Sequence, residues 1–515
     1  INVPLDDVDV IEFQSALYSA TTGRNGGGNI QIVTKTGSNR FRGGVYHYLQ
    51  NEKLNANEFF LNRAGRPRPQ FRRNETGATL GGPLRRDRTF FFGSVRRTDF
   101  VTGYATNARA DTGIPTGLGD VRTPETIAAA ANEWLRTAAE GDPRFRQNFM
   151  NALRAYPADQ VDGLVNQFFA DPATLQFRTL TPQDIHPVSI NVLNLKRHGR
   201  FLLPSASPSM PLLPATASFG AERLKAEVIP TVFYSWTGSG TIENHFGSKH
   251  RLRLNLIKST QFIEEAFPWA NSSPSPTLGD TSSYTASLAD HYAFSPHWLN
   301  DLRGGFFELY NTRIAKYRDI TNSSLGIYNP LEEAVGGLAS MAPTIDIATQ
   351  VGGNNSSGIG AAWDFFDRQR VINAADTVSY VSGQHTVQFG GEIRRPTIKG
   401  EYMSRTNGDL DFTNWLFFFT GHVTSGTSSD LDMGDTRRHF KMLDYNFFFQ
   451  DDWKVRPGLT LNIGLRYDFY GFPAEVDGKI GNYYTAATAA RMGVEPGFRV
   501  PANNIIFRPD FQPFQ

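Results

Sequence analysis

The clearest pattern along the chain is an alternation of apolar and polar residues between Leu459 and Phe469. Leucine, isoleucine, tyrosine or phenylalanine stands at every second position, with threonine, asparagine, glycine, arginine and aspartate between them. A period of two is typical of a β-strand with one apolar face and one face that can contact water. The segment Leu443–Gln450 alternates in the same way, and Arg456–Gly458 can turn the chain between the two. The sequence therefore predicts a β-hairpin here.

Four more segments have the organisation of a hairpin, with two alternating runs joined by a short turn. They are Arg72–Arg97, Val232–Ile263, Tyr284–Tyr310 and Val371–Arg395. A single strand is predicted at Arg42–Asn51 in addition. Together these segments make about eleven strands, each of roughly the 9–11 residues that cross a bilayer when tilted. The sequence thus predicts an all-β, antiparallel fold.

The connections between the strands alternate between short and long. Turns within hairpins have about two to five residues, whereas connections between hairpins have about 20, 130, 20, 55 and 45 residues in chain order. A soluble β-sandwich gives no reason for this sorting, because both of its ends contact the same solvent. A β-barrel of the outer membrane explains the alternation, because its periplasmic turns are short and its external loops are long. The alternation favours a transmembrane β-barrel over a soluble sandwich.

The longest connection contains helix signals. Thr123 can cap a helix, and Pro124 and Glu125 suit a first helical turn. Helical spacing of apolar residues between Pro124 and Ala170 predicts two or three short amphipathic helices, inserted in an external loop over residues 124–170. We expect their apolar stripes to form a small local core rather than a docking surface.

Composition narrows the functional classes. The chain has 515 residues, a formal net charge of +1 and no cysteine. The near-zero charge argues against nucleic acid as a partner, and the absence of cysteine excludes disulfides, thiolate metal sites and cysteine nucleophiles. Aromatic residues make up 13% of the chain, although its mean hydropathy of −0.37 is on the polar side. A membrane barrel reconciles these two values, because every second residue of its strands faces a wet lumen.

Catalytic motifs are missing from the sequence. Neither His-Glu-x-x-His nor Gly-x-Ser-x-Gly occurs, and the adjacent Asp451 and Asp452 would point to opposite faces of a strand. His245 and His250 flank a predicted turn and could form a metal pair, but histidines at turn ends are more often solvated. We therefore predict no enzyme activity, no catalytic residue and no cofactor.

Two acidic segments are weak candidates for calcium. Asn407, Asp409 and Asp411 stand at alternate positions of a predicted external loop, and three further aspartates lie nearby, namely Asp430, Asp432 and Asp435. Carboxylate and amide oxygens are the hard ligands that calcium prefers. The alternative is a loop rich in turn-forming residues. We favour the loop, and predict no established metal site.

Two arginine clusters could contact anions. Arg63, Arg66, Arg68, Arg72 and Arg73 form the first, and Arg85, Arg86 and Arg88 form the second. The first lies near a predicted external loop, where it could contact phosphates of lipopolysaccharide. The second lies beside a predicted periplasmic turn. We favour solvated side chains for both clusters.

The first hundred residues contain a glycine-rich motif with a specific resemblance. A phosphate-binding loop at Gly23–Gly28 is disfavoured, because the Lys-Ser/Thr of such loops is missing. The motif instead resembles the end of the plug of a TonB-dependent receptor, and later segments resemble the Oar-like branch of that family, whose members carry a carboxypeptidase-regulatory-like front domain. The matching segments are Val8–Phe13, Tyr18–Ala20, Gly23–Asn39, Phe41–Gly44, Asn55–Phe60, Gly81–Leu84, Asp87–Gly93, Phe449–Lys454 and Leu459–Tyr467.

The resemblance implies a barrel of the 22-stranded plugged type in the outer membrane of a Gram-negative-type bacterium. Residues 1–39 would be the C-terminal part of the plug, and residues 40–515 the N-terminal half of the barrel. The structural residues of the plug motif would be Gly23, Arg24, Gly26, Gly27, Gly28, Thr34, Lys35 and Gly37. The implied partners are the TonB system, outer-membrane lipid and lipopolysaccharide, and an unknown transported ligand whose binding residues the sequence does not identify.

The chain also departs from the family pattern. Most of the plug, the TonB box and the front domain are not in this sequence, and an odd number of strands cannot return both chain ends to the periplasm. We therefore expect an internal fragment of a TonB-dependent active transporter. The alternatives are a non-transporting outer-membrane barrel that acts as an adhesin or surface structural protein, and a soluble secreted β-rich enzyme.

Overall fold

The structure is a computed structural model, and it describes most of the chain. The described residues are 5–14, 18–23, 28–63, 65–105, 108–267, 276–329, 332, 341–351, 353–359, 364–402, 407–424, 437–479, 482–484, 490 and 497–499. Within this part of the chain, no helix is both long and apolar enough to span a membrane.

Strands dominate the described residues. In chain order they are β1 (Val8–Gln14), β2 (Asn29–Thr34), β3 (Arg42–Asn51), β4 (Phe71–Arg85), β5 (Thr89–Thr102), β6 (Arg109–Pro115), β7 (Phe169–Asp171), β8 (Gln176–Phe177), β9 (Lys196–Arg197), β10 (Arg200–Phe201), β11 (Leu212–Leu213), β12 (Glu222–Val228), β13 (Thr231–His245), β14 (His250–Glu265), β15 (Thr277–Ala293), β16 (Trp298–Ala315), β17 (Thr344–Thr349), β18 (Gly353–Ile359), β19 (Phe365–Ser382), β20 (His385–Tyr402), β21 (Asp409–Phe412), β22 (Arg437–Lys441), β23 (Asp444–Arg456), β24 (Leu459–Phe469), β25 (Ala474–Glu475), β26 (Asn482–Tyr484) and β27 (Gly497–Arg499). The helices are α1 (Phe59–Arg63), α2 (Pro124–Gly141), α3 (Phe145–Leu153), α4 (Ala158–Phe168), α5 (Pro187–Asn194), α6 (Asn322–Leu325) and α7 (Trp415–Thr420).

One large antiparallel sheet contains all the predicted hairpins. Its strands follow the order β3-β4-β5-β13-β14-β15-β16-β19-β20-β23-β24, and in addition the short strand β22 pairs with β20 and β25 pairs with β22. The five predicted hairpins are the pairs β4–β5, β13–β14, β15–β16, β19–β20 and β23–β24. Since neighbours in the chain are mostly neighbours in the sheet, the fold is a meander interrupted only by long connections.

Most strands of the large sheet are longer than the sequence predicted, whereas β3 with 10 residues and β24 with 11 have the predicted length. Strands β19 and β20 have 18 residues each, against a prediction of roughly 9–11. At about 3.3 Å per residue and a tilt near 45°, such a strand rises about 40 Å, more than the roughly 30 Å hydrocarbon thickness of a bilayer. The prediction fell short for these two strands because the regular alternation of apolar and polar residues ends before the strand does.

The faces of the sheet have inverted polarity. On β13, Thr237 and Thr241 are buried on one face, whereas Tyr234, Trp236 and Ile242 are exposed on the other. Strand β23 repeats the pattern, with buried polar residues at Asp444, Asn446 and Gln450 on one face and exposed Phe447 and Phe449 on the other. A soluble sheet would hide its apolar face from water. Exposed apolar side chains over buried polar ones are the arrangement of a sheet that meets hydrocarbon outside and a polar lumen inside.

The three longest connections fold together into what we call the loop domain, the described residues of 108–230, 316–364 and 407–424. A single hydrophobic core joins them, with Trp134 and Phe149 from the first connection, Ile347 from the second and Phe417 from the third. The prediction of a small local core for residues 124–170 is therefore wrong. Helices α2, α3 and α4 lie in that range, but their apolar faces pack against residues that follow much later in the chain.

Helix α2 shows how local sequence positions this core. Thr123 accepts a hydrogen bond from the Thr126 amide at 3.4 Å, and the Thr126 hydroxyl accepts one from the Thr123 amide at 3.0 Å. This reciprocal capping fixes the first turn. The buried residues then recur at helical spacing, as Ile127, Ala131, Trp134, Leu135 and Ala138. The helix therefore presents one continuous apolar stripe to the other two connections.

Candidate functional site

The N-terminal segment contacts the polar face of the large sheet. Asp7 is buried, and its Oδ2 accepts hydrogen bonds from Ser94 Oγ of β5 at 2.6 Å and from Ser239 Oγ of β13 at 2.7 Å. The Lys35 amide donates to the Asp7 carbonyl at 2.7 Å, which ties β2 to the same point. A carboxylate held by two hydroxyls fixes the segment to neighbouring strands through polar contacts alone.

Thr34, a predicted residue of the plug motif, lies against β14. Its Oγ1 accepts hydrogen bonds from Arg253 Nη2 at 2.8 Å and from Asn255 Nδ2 at 3.3 Å, and its carbonyl also accepts from Arg253. Lys35, the next residue of the motif, donates its Nζ to the Asp6 carbonyl at 2.7 Å. The pair β1–β2 is thus held both within itself and to the sheet.

The described glycines of the motif mark close approaches. A Cβ on Gly37 would overlap the carbonyl oxygens of Gly82 and Phe91, so the chain enters the sheet where only glycine fits. A Cβ on Gly23 would overlap the guanidinium of Arg466, and one on Gly28 would lie 3.1 Å from the Phe13 ring. The remaining motif residues, Arg24, Gly26 and Gly27, lie outside the described residues.

The same segment also reaches the far end of the sheet. Gln450 Oε1 of β23 accepts from the Ala20 amide at 3.0 Å, and Arg466 Nη1 of β24 donates to the Ala20 carbonyl at 3.1 Å. Asp7 contacts β5 and β13, which lie several strands away in the order of the sheet. The N-terminal segment therefore spans the polar face from one group of strands to another.

A second candidate site is a cluster of three carboxylates in the loop domain. Asp346 of β17 and Asp409 and Asp411 of β21 each offer an oxygen atom, and these atoms all lie within 4.8 Å of one another. Asp346 is 6% exposed. Its burial, followed by the charges of Asp409 and Asp411, raises the pKa of Asp346 to about 8. Such a cluster can share protons or bind a cation.

The sequence identified two of these three carboxylates. Asn407, Asp409 and Asp411 were the calcium candidates, and Asn407 lies beside the cluster, where its Nδ2 donates to the Ala342 carbonyl at 2.8 Å. Asp346 was missed because it belongs to a different connection. A signal was available, since a single carboxylate interrupts the run of β-branched and apolar residues at Thr344–Thr349.

Burial also raises the pKa of a second carboxylate elsewhere in the loop domain. Glu222 of β12 is fully buried, and its Oε2 accepts a hydrogen bond from the Gln350 amide at 3.1 Å. Burial raises the pKa of Glu222 to about 7. Since Gln350 also donates its Nε2 to the Gly220 carbonyl at 2.7 Å, the two residues join the first and second connections.

Arg122 is a buried cation with a structural role. Its guanidinium donates to the carbonyls of Leu193, Leu203 at 2.8 Å and Gly119 at 3.1 Å, and it lies over the ring of Phe201 at 3.8 Å. Burial lowers the pKa of Arg122 to about 10, so the side chain stays charged at neutral pH. The fork of donors holds three turns of the first connection together.

The histidines considered as a metal pair each contact a carboxylate. His245 Nε2 lies 2.8 Å from Glu243 Oε1, and His250 Nε2 lies 2.5 Å from Asp290 Oδ1. The second acidic segment, with Asp430, Asp432 and Asp435, lies outside the described residues.

The first arginine cluster is partly paired. Arg73 lies 2.9 Å from Glu75, and Arg72 lies 3.7 Å from Glu52. Arg66 lies 3.9 Å from Asp111 of β6, at the base of the loop domain. Solvated side chains stay the favoured prediction for the rest of this cluster, and contact with lipopolysaccharide stays the untested alternative.

Comparison with known proteins places the chain among membrane barrels. A family model of an outer membrane beta barrel domain matches residues 33–513. No curated protein matches the chain.

Several solved structures are similar to the chain at low identity. The outer membrane transporter YddB from Escherichia coli has 9% identity and a TM-score of 0.46, over 91% of this chain and 44% of that one. A mutant of the ferric enterobactin receptor PfeA from Pseudomonas aeruginosa has 14% identity and a TM-score of 0.42, over 92% and 46%. The siderophore receptor PirA from Acinetobacter baumannii has 10% identity and a TM-score of 0.43, over 92% and 46%. The chain spans a little under half the length of these three proteins.

Proposed function

The chain belongs to the outer membrane beta barrel domain family, and from this premise we propose that it is part of a TonB-dependent transporter or receptor of the Oar-like branch. In this proposal the sheet is the N-terminal half of a barrel of the 22-stranded type, and residues 1–39 are the end of a plug. A ligand binds from outside and passes through the lumen when TonB acts on the plug. The barrel carries out no covalent chemistry.

The observation that carries the proposal is the binding of the N-terminal segment to the polar face of the sheet. In a membrane barrel the polar face lines the lumen, so under this proposal the segment that is hydrogen-bonded to Ser94, Ser239 and Arg253 would lie inside the lumen. A porin keeps its lumen open for diffusion, whereas a segment that fills the lumen must move before a ligand can pass. Such movement calls for a source of energy.

The chemistry of these contacts suits a plug that can move. They are hydrogen bonds to hydroxyl, amide and guanidinium groups, and water can replace each of them when the segment is displaced. A single hydrogen bond of this kind contributes about 0.5–1.5 kcal/mol net, or about 1.5–3 kcal/mol when one partner is charged. A mechanical pull can therefore break the contacts in succession at modest cost.

A cross-linking experiment tests the position of the segment, and these 515 residues contain no cysteine that would compete with introduced ones. Asp7→Cys combined with Ser239→Cys, made in an otherwise cysteine-free full-length protein in its own outer membrane, should be joined by a short reagent that alkylates a thiol at each end. The matched control combines Asp7→Cys with Trp236→Cys, on the opposite face of β13. Equal cross-linking of both pairs, or of neither, would contradict a plug inside the lumen.

Uptake experiments test energisation. Intact cells with and without the gene are given labelled ferric siderophores, cobalamin, oligosaccharides and peptides, before and after collapse of the proton gradient. The proposal expects gene-dependent uptake of one of these probes that stops when the gradient collapses. Uptake that survives collapse would contradict TonB coupling. Gene-dependent adhesion or envelope integrity without uptake of any probe would favour the non-transporting surface barrel.

A further inference from the structure

The acidic cluster has a defined place in the loop domain. Strands β17 and β21 pair in parallel, with Asp346 opposite Asp411 and Thr344 opposite Asp409. Successive residues of a strand point to opposite faces, so the three aspartates share one face. Ile345, Ile347 and Phe412 occupy the other face and are buried in the hydrophobic core. The core therefore fixes the positions of the carboxylates.

This arrangement brings negative charges close together. Like charges this close repel each other far more strongly near a protein surface than in bulk water, because the effective dielectric constant is lower. The raised pKa of Asp346 is caused by its burial and by the charges of Asp409 and Asp411. The repulsion is relieved if one carboxyl binds a proton or if the cluster binds a cation.

An independent observation points to a ligand. Asp346 is 6% exposed, and its Oδ1 has no hydrogen-bond partner in the part of the chain that the structure describes. Most buried polar atoms in proteins have a partner, so each exception calls for an explanation. Asp346 belongs to the cluster whose oxygen atoms lie within 4.8 Å of one another, so a cation at its centre would supply the missing partner.

We propose that Asp346, Asp409 and Asp411 bind one divalent cation of the calcium class. The cluster offers only carboxylate oxygens, the hard ligands that calcium and magnesium prefer and that zinc sites in proteins use less than histidine and cysteine. Ligands lie about 2.4 Å from calcium, so two oxygens of one shell are at most about 4.8 Å apart. The spacing of the cluster satisfies this limit before any side chain moves.

Calcium is favoured over magnesium because of the surroundings. Asp346 is buried, whereas Asp409 and Asp411 are half-buried, so the site opens to solvent on the side of β21. Waters can enter there and complete the six to eight ligands of calcium. Magnesium demands a near-ideal octahedron and gives up its own waters reluctantly. Carboxylates fixed by two paired strands have little freedom to meet that geometry.

The bound cation would join two external connections. Asp346 belongs to the connection between β16 and β19, and Asp409 and Asp411 belong to the connection between β20 and β22. Four register pairs already hold β17 to β21, and a shared cation would add a second link between the two strands. We expect calcium to protect both connections from proteases. This inference does not depend on transport or on TonB.

Calorimetric titration with calcium chloride tests the site in the full-length protein, purified in detergent and freed of metal with a chelator. Wild type should bind one calcium ion more than Asp346→Asn, or should bind it at least tenfold more tightly. Asp162→Asn, which removes an exposed carboxylate from α4 of the same loop domain, should titrate like wild type. Binding to residual lipopolysaccharide is common to all three proteins and cancels in the comparison.

Limited proteolysis gives a second readout that is independent of the heat signal. Calcium should slow cleavage of the loop domain in wild type and in Asp162→Asn, but not in Asp346→Asn or Asp411→Asn. Equal cleavage of the four proteins in the presence of chelator shows that the substitutions leave the fold intact. A titration in which Asp346→Asn is indistinguishable from wild type would overturn the proposal and assign the cluster to a shared proton. Equal affinity for magnesium would overturn the choice of calcium.

Discussion

The indole Nε1 of Trp415 donates a hydrogen bond of 2.9 Å to the backbone carbonyl of Gly113, 302 residues earlier in the chain. Both partners are buried, and the bond joins the first and third connections of the loop domain. The Asn414 side chain positions the indole, because its Oδ1 caps α7 by accepting from the amides of Leu416 at 3.0 Å and Phe417 at 3.2 Å. One short helix thus fastens two loops that leave different strands.

Replacement of Trp415 by phenylalanine should loosen the loop domain. The substitution keeps an aromatic ring in the core but leaves the Gly113 carbonyl buried without its donor, which costs about 1–3 kcal/mol. We expect faster proteolysis of α2 to α5. The large sheet should be unchanged, as judged from the gel mobility of the unheated protein. Trp298→Phe, at an exposed tryptophan of β16, is the matched control and should leave cleavage unchanged. Equal cleavage of both variants would show that the bond contributes nothing.

Strand β24 offers a test of the lipid-facing surface. Leu465 is 76% exposed and lies six residues after Leu459, the first residue of the strand. With the hydrocarbon layer beginning near the turn before Leu459, Leu465 lies close to the middle of that layer. Arginine on the lipid face near the midplane costs about 2–4 kcal/mol. Leu465→Arg should therefore lower the free energy of unfolding in lipid vesicles by that amount, measured by urea titration. Asn462→Arg places the same charge on the polar face and should change stability by less than about 1 kcal/mol. Equal losses would contradict the assignment of the faces.

The sequence predicted the sheet well and the loop domain poorly, for one physical reason. In β24 the apolar face must meet lipid at every second residue, so the pattern from Leu459 to Phe469 is complete within one strand. The core of the loop domain joins residues from three connections, and no periodicity within one connection reveals the others. In the sequence, the segment Trp415–Thr420 is a short apolar run within a long connection. Only the fold shows that every residue of α7 is buried.

The acidic cluster could likewise be predicted only in part from the sequence. Asp409 and Asp411 are two positions apart, so the sequence alone places them on one face of a strand. Asp346 joins them only because β17 and β21 pair in parallel across two connections. A local pattern can therefore identify ligands on one strand, whereas the third ligand depends on long-range pairing.

The loop domain should become less stable as pH rises, because of Glu222. Its pKa is raised from 4.5 to about 7 in the folded protein, so between these values the unfolded chain releases its proton more readily than the folded chain does. The contribution of Glu222 to stability is therefore greatest below pH 4.5, falls through the window up to about pH 7, and is lower by about 3 kcal/mol above it.

Proteolysis rates of wild type and Glu222→Gln, compared at pH 5 and pH 8 with a protease active at both values, measure this effect. The glutamine keeps an acceptor for the Gln350 amide but cannot titrate. We expect the ratio of the rates at pH 8 and pH 5 to be smaller for the variant than for wild type. Glu140→Gln, at an exposed residue of α2, is the control. An unchanged ratio in Glu222→Gln would assign the pH dependence to other groups.

Replacement of Asp7 by alanine should release the N-terminal segment from the sheet. The buried carboxylate accepts from Ser94 and Ser239, and its loss leaves two hydroxyls without their charged acceptor, at a cost of about 1.5–3 kcal/mol for each hydrogen bond. We expect amide hydrogen exchange of β1 and β2 to become at least tenfold faster, because opening needs less free energy. Exchange in β23 and β24 should not change. Asp9→Ala removes an exposed carboxylate on β1 and serves as the control. If both variants exchange like wild type, the segment is held by other contacts, such as those of Thr34 with Arg253.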